Sequence, residues 1–201
     1  MRAGEELVMA TEIRIVEEAK KPISMHPKKF ALWLFIVTVI MIFAALTSAY
    51  IVRQADGNWV IFELPRLFLV TTAIILFSSL TMHWAYLSVK KDNLEAAKLA
   101  IALTTILGIS FLVGQYLAWG ELVRNSIHLV GNPSGSFVYV ISGLHGLHIV
   151  GGVVFLIVVL VSIFQVKIHS KNLLRIEMCA TYWHFLGGLW LYLFVFLLLN
   201  R

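Results

Sequence analysis

Five long runs of apolar residues, none containing Asp, Glu, Lys or Arg, constrain the fold of this chain more than any other feature. A helix needs about 20 apolar residues to cross the roughly 30 Å hydrocarbon core of a bilayer. All five runs are long enough, and they occupy 30–52, 67–89, 99–120, 137–166 and 178–199. The sequence therefore predicts an all-α protein, a polytopic membrane helical bundle with five transmembrane helices.

The composition excludes an ordinary soluble domain. Charged residues make up 13% of the 201 positions, whereas a soluble domain carries about 25%. The formal net charge is +5, but the Lys and Arg residues lie in short loops and tails rather than in a patch with interleaved aromatic residues. We therefore expect membrane lipids, and no nucleic acid, as partners. Cys179 is the single cysteine, so no intrachain disulfide can form, and we interpret it as a small buried hydrophobe.

The charges also predict the domain organisation. Residues 1–27 form a polar tail, and 28–201 form the five-helix transmembrane domain. Glu residues interrupt the tail and exclude the apolar core of a signal peptide. Two interpretations fit this tail: a short amphipathic helix on the membrane surface, or a segment that becomes ordered only when it contacts a partner. Most Lys and Arg residues lie in the tail and in the second and fourth loops, which predicts an inside N-terminus and an outside C-terminus.

The lack of charge inside the spans argues against an autonomous pump, channel or ion-coupled transporter. Such proteins usually place an ionisable side chain within the membrane, because an ion path, a proton relay or a voltage sensor requires one. The chain also shows no internal repeat of the kind that builds inverted-repeat transporters. An independent transporter therefore stays a remote alternative.

Three histidines within the spans are candidates for metal binding or for hydrogen bonding. His145 and His148 are three residues apart and so lie on one helix face, and His184 is in the fifth run. Imidazoles bind zinc, copper or iron when three or four ligands converge. No cysteine partner, HExxH motif or orienting carboxylate accompanies these three. Interhelical hydrogen bonding is the preferred interpretation, and a small membrane metalloenzyme is a remote alternative.

Small and aromatic residues predict how the helices pack. Ser110 with Gly114, and Ser142 with Gly146, are spaced four apart, which permits close approach of neighbouring helices. Just before the fifth run, Glu177 suits a helix N-terminus. Among the aromatic side chains of the fifth run, two are interpreted as anchors at the membrane interface, and one lies near mid-span. These are Tyr182 and Trp183 as the anchors, and Trp190 near the middle.

Two segments carry a resemblance to a known family. They are 135–148 (GSFVYVISGLHGLH) and 176–190 (IEMCATYWHFLGGLW). In order and spacing they resemble the signatures of subunit III of the haem-copper oxidases, a family that includes cytochrome c oxidase subunit III. Gln115 and Glu121 also fall where the family often carries such residues. The resemblance runs from about His26 to the C-terminus, and five spans with an inside N-terminus match the short bacterial form.

This resemblance implies a non-catalytic subunit of a respiratory terminal oxidase. Such a chain supports subunit I in oxygen reduction and proton pumping, in a complex that also contains subunits II and IV. The resemblance implies that this chain carries no catalytic residue, haem, copper or other metal. It implies that haem and copper are bound by the partner subunits, and that phospholipid binds at the surface of this chain. The implied location is the bacterial cytoplasmic (inner) membrane. We favour cytochrome c as the electron donor on general frequency, with a quinol oxidase as the alternative.

Differences from the family pattern bear on proton handling. Val39, Ala118 and Gly187 stand where many members carry an acidic residue, so a proton-handling role for those carboxylates does not carry over. We hypothesise instead a structural or lipid-binding polar network that joins the fourth span to the fifth. Its candidate residues are Gln115, Glu121, His145, His148, Glu177, Trp183, His184 and Trp190.

Overall fold

The computed structural model describes residues 26–165 and 173–200, which form five α-helices and no strand. The helices are α1 (Pro27–Ala55), α2 (Arg66–Lys90), α3 (Leu94–Arg124), α4 (Pro133–Phe164) and α5 (Leu174–Leu199). All five are long and apolar enough to cross a membrane. The predicted all-α bundle of five transmembrane helices is confirmed. The chain divides into two compact units, 1–31 and 32–201; of the first, only the start of α1 is described, and the packing below lies within the second.

Asparagine caps fix where two of the helices begin. The side chain of Asn93 accepts a hydrogen bond from the backbone N–H of Ala96 at the start of α3, and Asn132 accepts one from Ser134 at the start of α4. Pro133 is the first residue of α4, where its fixed φ suits a helix and its missing N–H costs nothing. Residues 133–135 therefore form the first turn of α4, although Pro, Ser and Gly are also typical of turns.

Several helices extend beyond the predicted spans. Helix α3 runs from 94 to 124 around the predicted 99–120, so its ends carry charged residues that reach past the hydrocarbon. Helix α4 begins four residues before the predicted 137 and ends at Phe164, with Gln165 at its C-cap. The final predicted residue of that span, 166, and the N-terminal tail lie outside the described residues.

Helices α2 to α5 form a closed ring. Helix α2 packs on α3, α3 on α4, α4 on α5, and α5 on α2. The approach of α2 to α3 is especially close at Gly114, where an added Cβ would clash with Cγ2 of Thr71. Of the predicted small-residue pair in the third span, Gly114 lies at the contact with α2, whereas Ser110 is exposed.

Helix α1 contacts the ring through long aromatic side chains. Phe43 reaches His145 and His148 on α4, with ring centroids 6.3 and 5.7 Å apart. Tyr50 packs edge-on against Phe196 of α5 at 5.2 Å. Contacts of this length hold α1 beside α4 and α5 without close backbone approach.

Polar contacts join the elements at the end of the bundle where α1 finishes. The hydroxyl of Tyr50 and the side-chain amide of Gln54 both donate to the carbonyl of Asn200, each at 3.0 Å. The amide of Asn132 donates to the carbonyl of Asn58 at 2.9 Å, which joins the α1–α2 and α3–α4 loops. Asn58 has a positive φ of 54° and follows Gly57 at 85°, and Gly and Asn are the residues that adopt such a turn most readily.

Candidate functional site

A polar layer crosses the interior of the ring, with side chains from all four helices. We define it as Thr71 and Thr72 of α2, Gln115 of α3, His145 of α4 and Trp190 of α5. The Gln115 amide donates to the Thr71 hydroxyl at 3.0 Å, and the Trp190 indole donates to the Thr72 hydroxyl at 2.9 Å. The imidazole of His145 lies against the Trp190 indole, with centroids 5.1 Å apart. The layer thus joins three of the predicted candidates in one contiguous group.

Aromatic side chains enclose the polar layer. Phe111 of α3 contacts both the Trp190 indole, at 5.1 Å, and the His145 imidazole, at 5.9 Å. Phe68 of α2 stacks on Trp190 from the other direction at 6.0 Å. His145 has no exposed surface. The layer is therefore shielded from lipid and bulk solvent by its own bundle.

His148 lies one turn beyond His145 on the same side of α4, as the spacing predicts, since the Phe43 ring contacts both. Its Nδ1 donates to the carbonyl of Leu144 at 2.7 Å, which assigns the ring proton to that nitrogen. Tyr182 of α5 donates its hydroxyl to the His148 carbonyl at 3.3 Å. This contact is a direct polar link between the fourth and fifth helices.

Trp183 fills a slot between three helices. Its indole donates to the Ser78 hydroxyl of α2 at 2.7 Å, and its ring lies against Gly108 of α3 and Gly152 of α4. The side chain is 1% exposed. The interpretation of Tyr182 and Trp183 as interface anchors is therefore wrong: both are buried, because the glycines on α3 and α4 leave room for the large indole inside the bundle.

His184 faces α2 rather than α4. Its Nδ1 forms a 2.5 Å hydrogen bond with the hydroxyl of Ser79, and its ring lies 6.1 Å from that of His83, which is exposed. Within residues 26–165 and 173–200, no three His, Cys, Asp or Glu side chains come together in a way that would hold a metal. The structure thus does not assemble the three-histidine site considered from the sequence.

The two predicted glutamates lie near helix ends, away from the polar layer. Glu177 is in the first turn of α5, and its carbonyl accepts a hydrogen bond from Thr181. Glu121 is in the last turn of α3 and half-buried. The structural or lipid-binding role assigned to all eight candidates stays a prediction.

Sequence reasoning missed the hydroxyl partners on α2. Thr71, Thr72, Ser78 and Ser79 receive or share the hydrogen bonds of four of the predicted candidates. A signal was available, because two adjacent pairs of hydroxyl residues in one apolar run are unusual for a purely lipid-facing helix. Their seven-residue spacing, about two turns, places both pairs on one face.

Comparison with known proteins agrees with this architecture. The family model described as "Cytochrome c oxidase subunit III" matches residues 15–200. Subunit 3 of the cytochrome bo(3) ubiquinol oxidase of Buchnera aphidicola subsp. Schizaphis graminum is 30% identical over 178 residues, covering 86% of this chain and 94% of that protein. Cytochrome c oxidase subunit 3 of Petromyzon marinus is 33% identical over 134 residues, covering 67% and 49%. That of Squalus acanthias is 35% identical with the same coverage. The chain therefore spans about half the length of these two relatives.

Five helices able to cross a membrane, four of which enclose a polar layer, together with these matches define a multi-pass membrane subunit of the respiratory oxidase type. The chain belongs to the cytochrome c oxidase subunit III family, the third subunit of the haem-copper oxidases. The resemblance recognised in segments 135–148 and 176–190 is thereby confirmed.

Proposed function

We propose that this chain is the structural third subunit of a proton-pumping haem-copper terminal oxidase in a bacterial cytoplasmic membrane, with its N-terminus inside. It supports the oxygen-reducing subunit I and binds neither haem nor copper itself. The observation that carries the proposal is the match over residues 15–200, together with 94% coverage of one oxidase subunit 3. Subunits II and IV are the further partners that we expect in the complex.

A supporting rather than catalytic role fits the chemistry of the spans. Val39, Ala118 and Gly187, which replace acidic residues common in the family, are all buried. Most of the polar side chains described inside the bundle are engaged in hydrogen bonds between or within helices, as with Trp183 to Ser78. Groups held in this way stabilise helix packing. They do not form a chain of titratable side chains across the described membrane segments.

The pair formed by His83 and His184 supports docking against another polypeptide. His83 lies seven residues before Lys90 at the end of α2, about 10 Å along the axis, and its imidazole is exposed. A polar ring facing hydrocarbon at that depth is costly, whereas a neighbouring protein helix supplies a hydrogen-bonding partner. We therefore place a contact with a larger oxidase subunit on this α2/α5 face.

Phospholipid is the proposed surface ligand. A groove of about 720 Å³ runs between α1 and α4. Small and apolar residues, such as Ala45, Ala49 and Val52, line it, and Arg53 lies at its edge, paired with Asp56 at 3.2 Å. The apolar floor suits an acyl chain, and the guanidinium suits a lipid phosphate.

Two electron donors remain as candidates. Cytochrome c is the donor that the sequence resemblance favoured. The share of each relative that this chain covers favours a quinol as the donor. The Buchnera relative, named as a ubiquinol oxidase subunit, is matched over nearly its whole length, whereas the two cytochrome c oxidase subunits are matched over about half of theirs. Donor binding is expected on other chains of the complex, so the fold of this subunit serves either oxidase.

The test is affinity purification of the tagged full chain in a mild detergent. We expect haem-bearing partners to co-purify, with a reduced-minus-oxidised haem spectrum and cyanide-sensitive oxygen consumption. Supplying reduced cytochrome c and a quinol in parallel assays distinguishes the two donors. For the docking face, His83→Phe should lower the yield of partner subunits, and Val70→Phe, at an exposed position on the other side of α2, is the control. Recovery of the chain alone, with no haem, would refute the proposal.

A further inference from the structure

Two side chains of the polar layer have atoms that no described residue satisfies. These are Oε1 of Gln115 and both ring nitrogens, Nδ1 and Nε2, of His145. The Gln115 side chain is 2% exposed and that of His145 is fully buried. Buried polar atoms in folded proteins almost always have a partner, because removing them from water without a new hydrogen bond is unfavourable. The layer therefore requires a partner from outside the described side chains.

The register between α3 and α4 places these two side chains at one level. The indole of Trp119 on α3 donates to the Ser142 hydroxyl on α4 at 3.0 Å. Gln115 lies one turn before Trp119, and His145 lies nearly one turn after Ser142. Because the helices are antiparallel, both steps lead toward the same end of the bundle. Gln115 and His145 thus occupy the same depth on adjacent helices.

The donors in the layer are already in use. The hydroxyls of Thr71 and Thr72 both donate to the carbonyl of Phe68, at 3.1 and 2.7 Å. The N–H of Trp190 is taken by the Thr72 oxygen. These groups have no hydrogen left for Oε1 of Gln115, which accepts and cannot donate.

The chemistry of the unsatisfied atoms identifies the missing partner. Oε1 of Gln115 needs a donor, while a neutral imidazole presents one N–H and one lone pair. A cation would have no carboxylate to balance it in this layer, and an anion would have no cationic side chain. Water is neutral, small, and able to donate and accept at once, and a buried water typically makes about three hydrogen bonds.

We propose that an ordered internal water bridges Oε1 of Gln115 and the imidazole of His145. The water donates to the Gln115 oxygen and accepts the imidazole N–H, and so joins α3 to α4 inside the ring. Phe111 and Phe43 form the apolar wall beside the imidazole. The site is an internal hydration site, and it holds whichever oxidase the chain serves.

The first test is the density of the full complex, or of the purified full chain, at a resolution that shows ordered water. We expect a peak within hydrogen-bonding distance of both Oε1 of Gln115 and one nitrogen of His145. If both side chains are well defined with no such peak, or if a water touches only one of them, the proposed bridge is wrong.

The second test is a double-mutant cycle on the same full-length protein. Gln115→Leu and His145→Leu each leave the water and the opposite group short of a partner, so each should lower the midpoint of thermal unfolding. The loss in the double variant should be smaller than the sum of the two single losses, because the two substitutions remove the same bridge. Thr71→Val is the matched control, since it removes the acceptor of the Gln115 amide but leaves Oε1 in place.

If the layer holds no water, the two leucine substitutions should shift the unfolding midpoint in the opposite direction. If no water is bound, each leucine replaces an unsatisfied polar group with an apolar one and should raise the unfolding midpoint. The two effects should then add in the double variant. This result would overturn the proposal even if the density were ambiguous.

Discussion

Gly108→Ala should destabilise the bundle, because Gly108 forms one wall of the Trp183 slot. A Cβ at Gly108 would lie 2.6 Å from Cη2 and 3.1 Å from Cζ2 of the Trp183 ring. Carbon atoms in ordinary contact are about 3.5–4.0 Å apart, so the indole would have to move by about 1 Å. It cannot move freely, since Gly152 closes the opposite side and the Ser78 hydrogen bond fixes the ring nitrogen.

The size of the effect follows from two opposing terms. Overpacking a filled core costs about 1–3 kcal/mol, whereas replacing glycine by alanine in a helix gains up to about 1 kcal/mol. Gly120→Ala isolates the second term, because Gly120 lies on the same helix and an added Cβ there would have no atom within 4 Å. The free energy of unfolding should therefore differ between the two variants by about 1–3 kcal/mol.

Cys179 supplies the assay. It is the single cysteine and is buried at 1% exposure, so a thiol-reactive fluorophore reports unfolding of the purified chain in mild detergent. The Gly108→Ala variant should react at a lower temperature than Gly120→Ala. In a Trp183→Phe background, whose smaller ring vacates the slot, Gly108→Ala should have little further effect. Equal transitions for the two alanine variants would refute the steric argument.

Three further changes test other parts of the structure. Asn132→Ala removes the cap of α4 and the link to the Asn58 carbonyl, and should cost about 1 kcal/mol of unfolding free energy; an unchanged transition would contradict the cap. Tyr50→Phe keeps the aromatic contacts but loses the bond to the Asn200 carbonyl, and should speed amide hydrogen exchange near the end of α5. His148→Leu or Glu177→Gln should lower retention of the chain in the oxidase complex with an unchanged haem spectrum; an altered spectrum in an intact complex would indicate a direct cofactor role.

Controls for these three experiments come from the same elements. Ser110→Ala is a matched control for Asn132→Ala, since the exposed Ser110 hydroxyl bonds only the carbonyl of Ile106 within its own helix. Tyr116→Phe is the control for Tyr50→Phe, because the Tyr116 side chain is 73% exposed and a tyrosine hydroxyl is likewise removed there. Leu147→Ala, at an exposed position beside His148, serves for the retention assay.

The number and type of helices could be predicted because lipid imposes a strong rule on composition. Every crossing segment must satisfy its backbone internally and present apolar side chains, so five uncharged runs predict five helices. The helix ends were less predictable. Pro133 and Gly135 are typical of turns, yet the Asn132 cap and the fixed φ of Pro133 extend α4 through them.

The arrangement of the site could be predicted only in part. The shared face of His145 and His148 follows from helix geometry alone. The direction that each helix turns toward its neighbours does not, because hydropathy is nearly uniform around these helices. For this reason His184 was grouped with His145, although it contacts Ser79 and His83 on α2. The burial of Trp183 depends on glycines from two other helices, which no local pattern reveals.

The attachment of α1 has a consequence for biogenesis. This helix precedes the others in the chain, yet most of its aromatic contacts are with α4 and α5, and Tyr50 and Gln54 donate hydrogen bonds to Asn200, up to 150 residues later. A newly inserted α1 therefore lacks its contacts with α5 and Asn200 until α5 has been synthesised. Contacts between residues so distant in sequence form late. The packing of α1 against α5 is therefore expected to be the last step of folding.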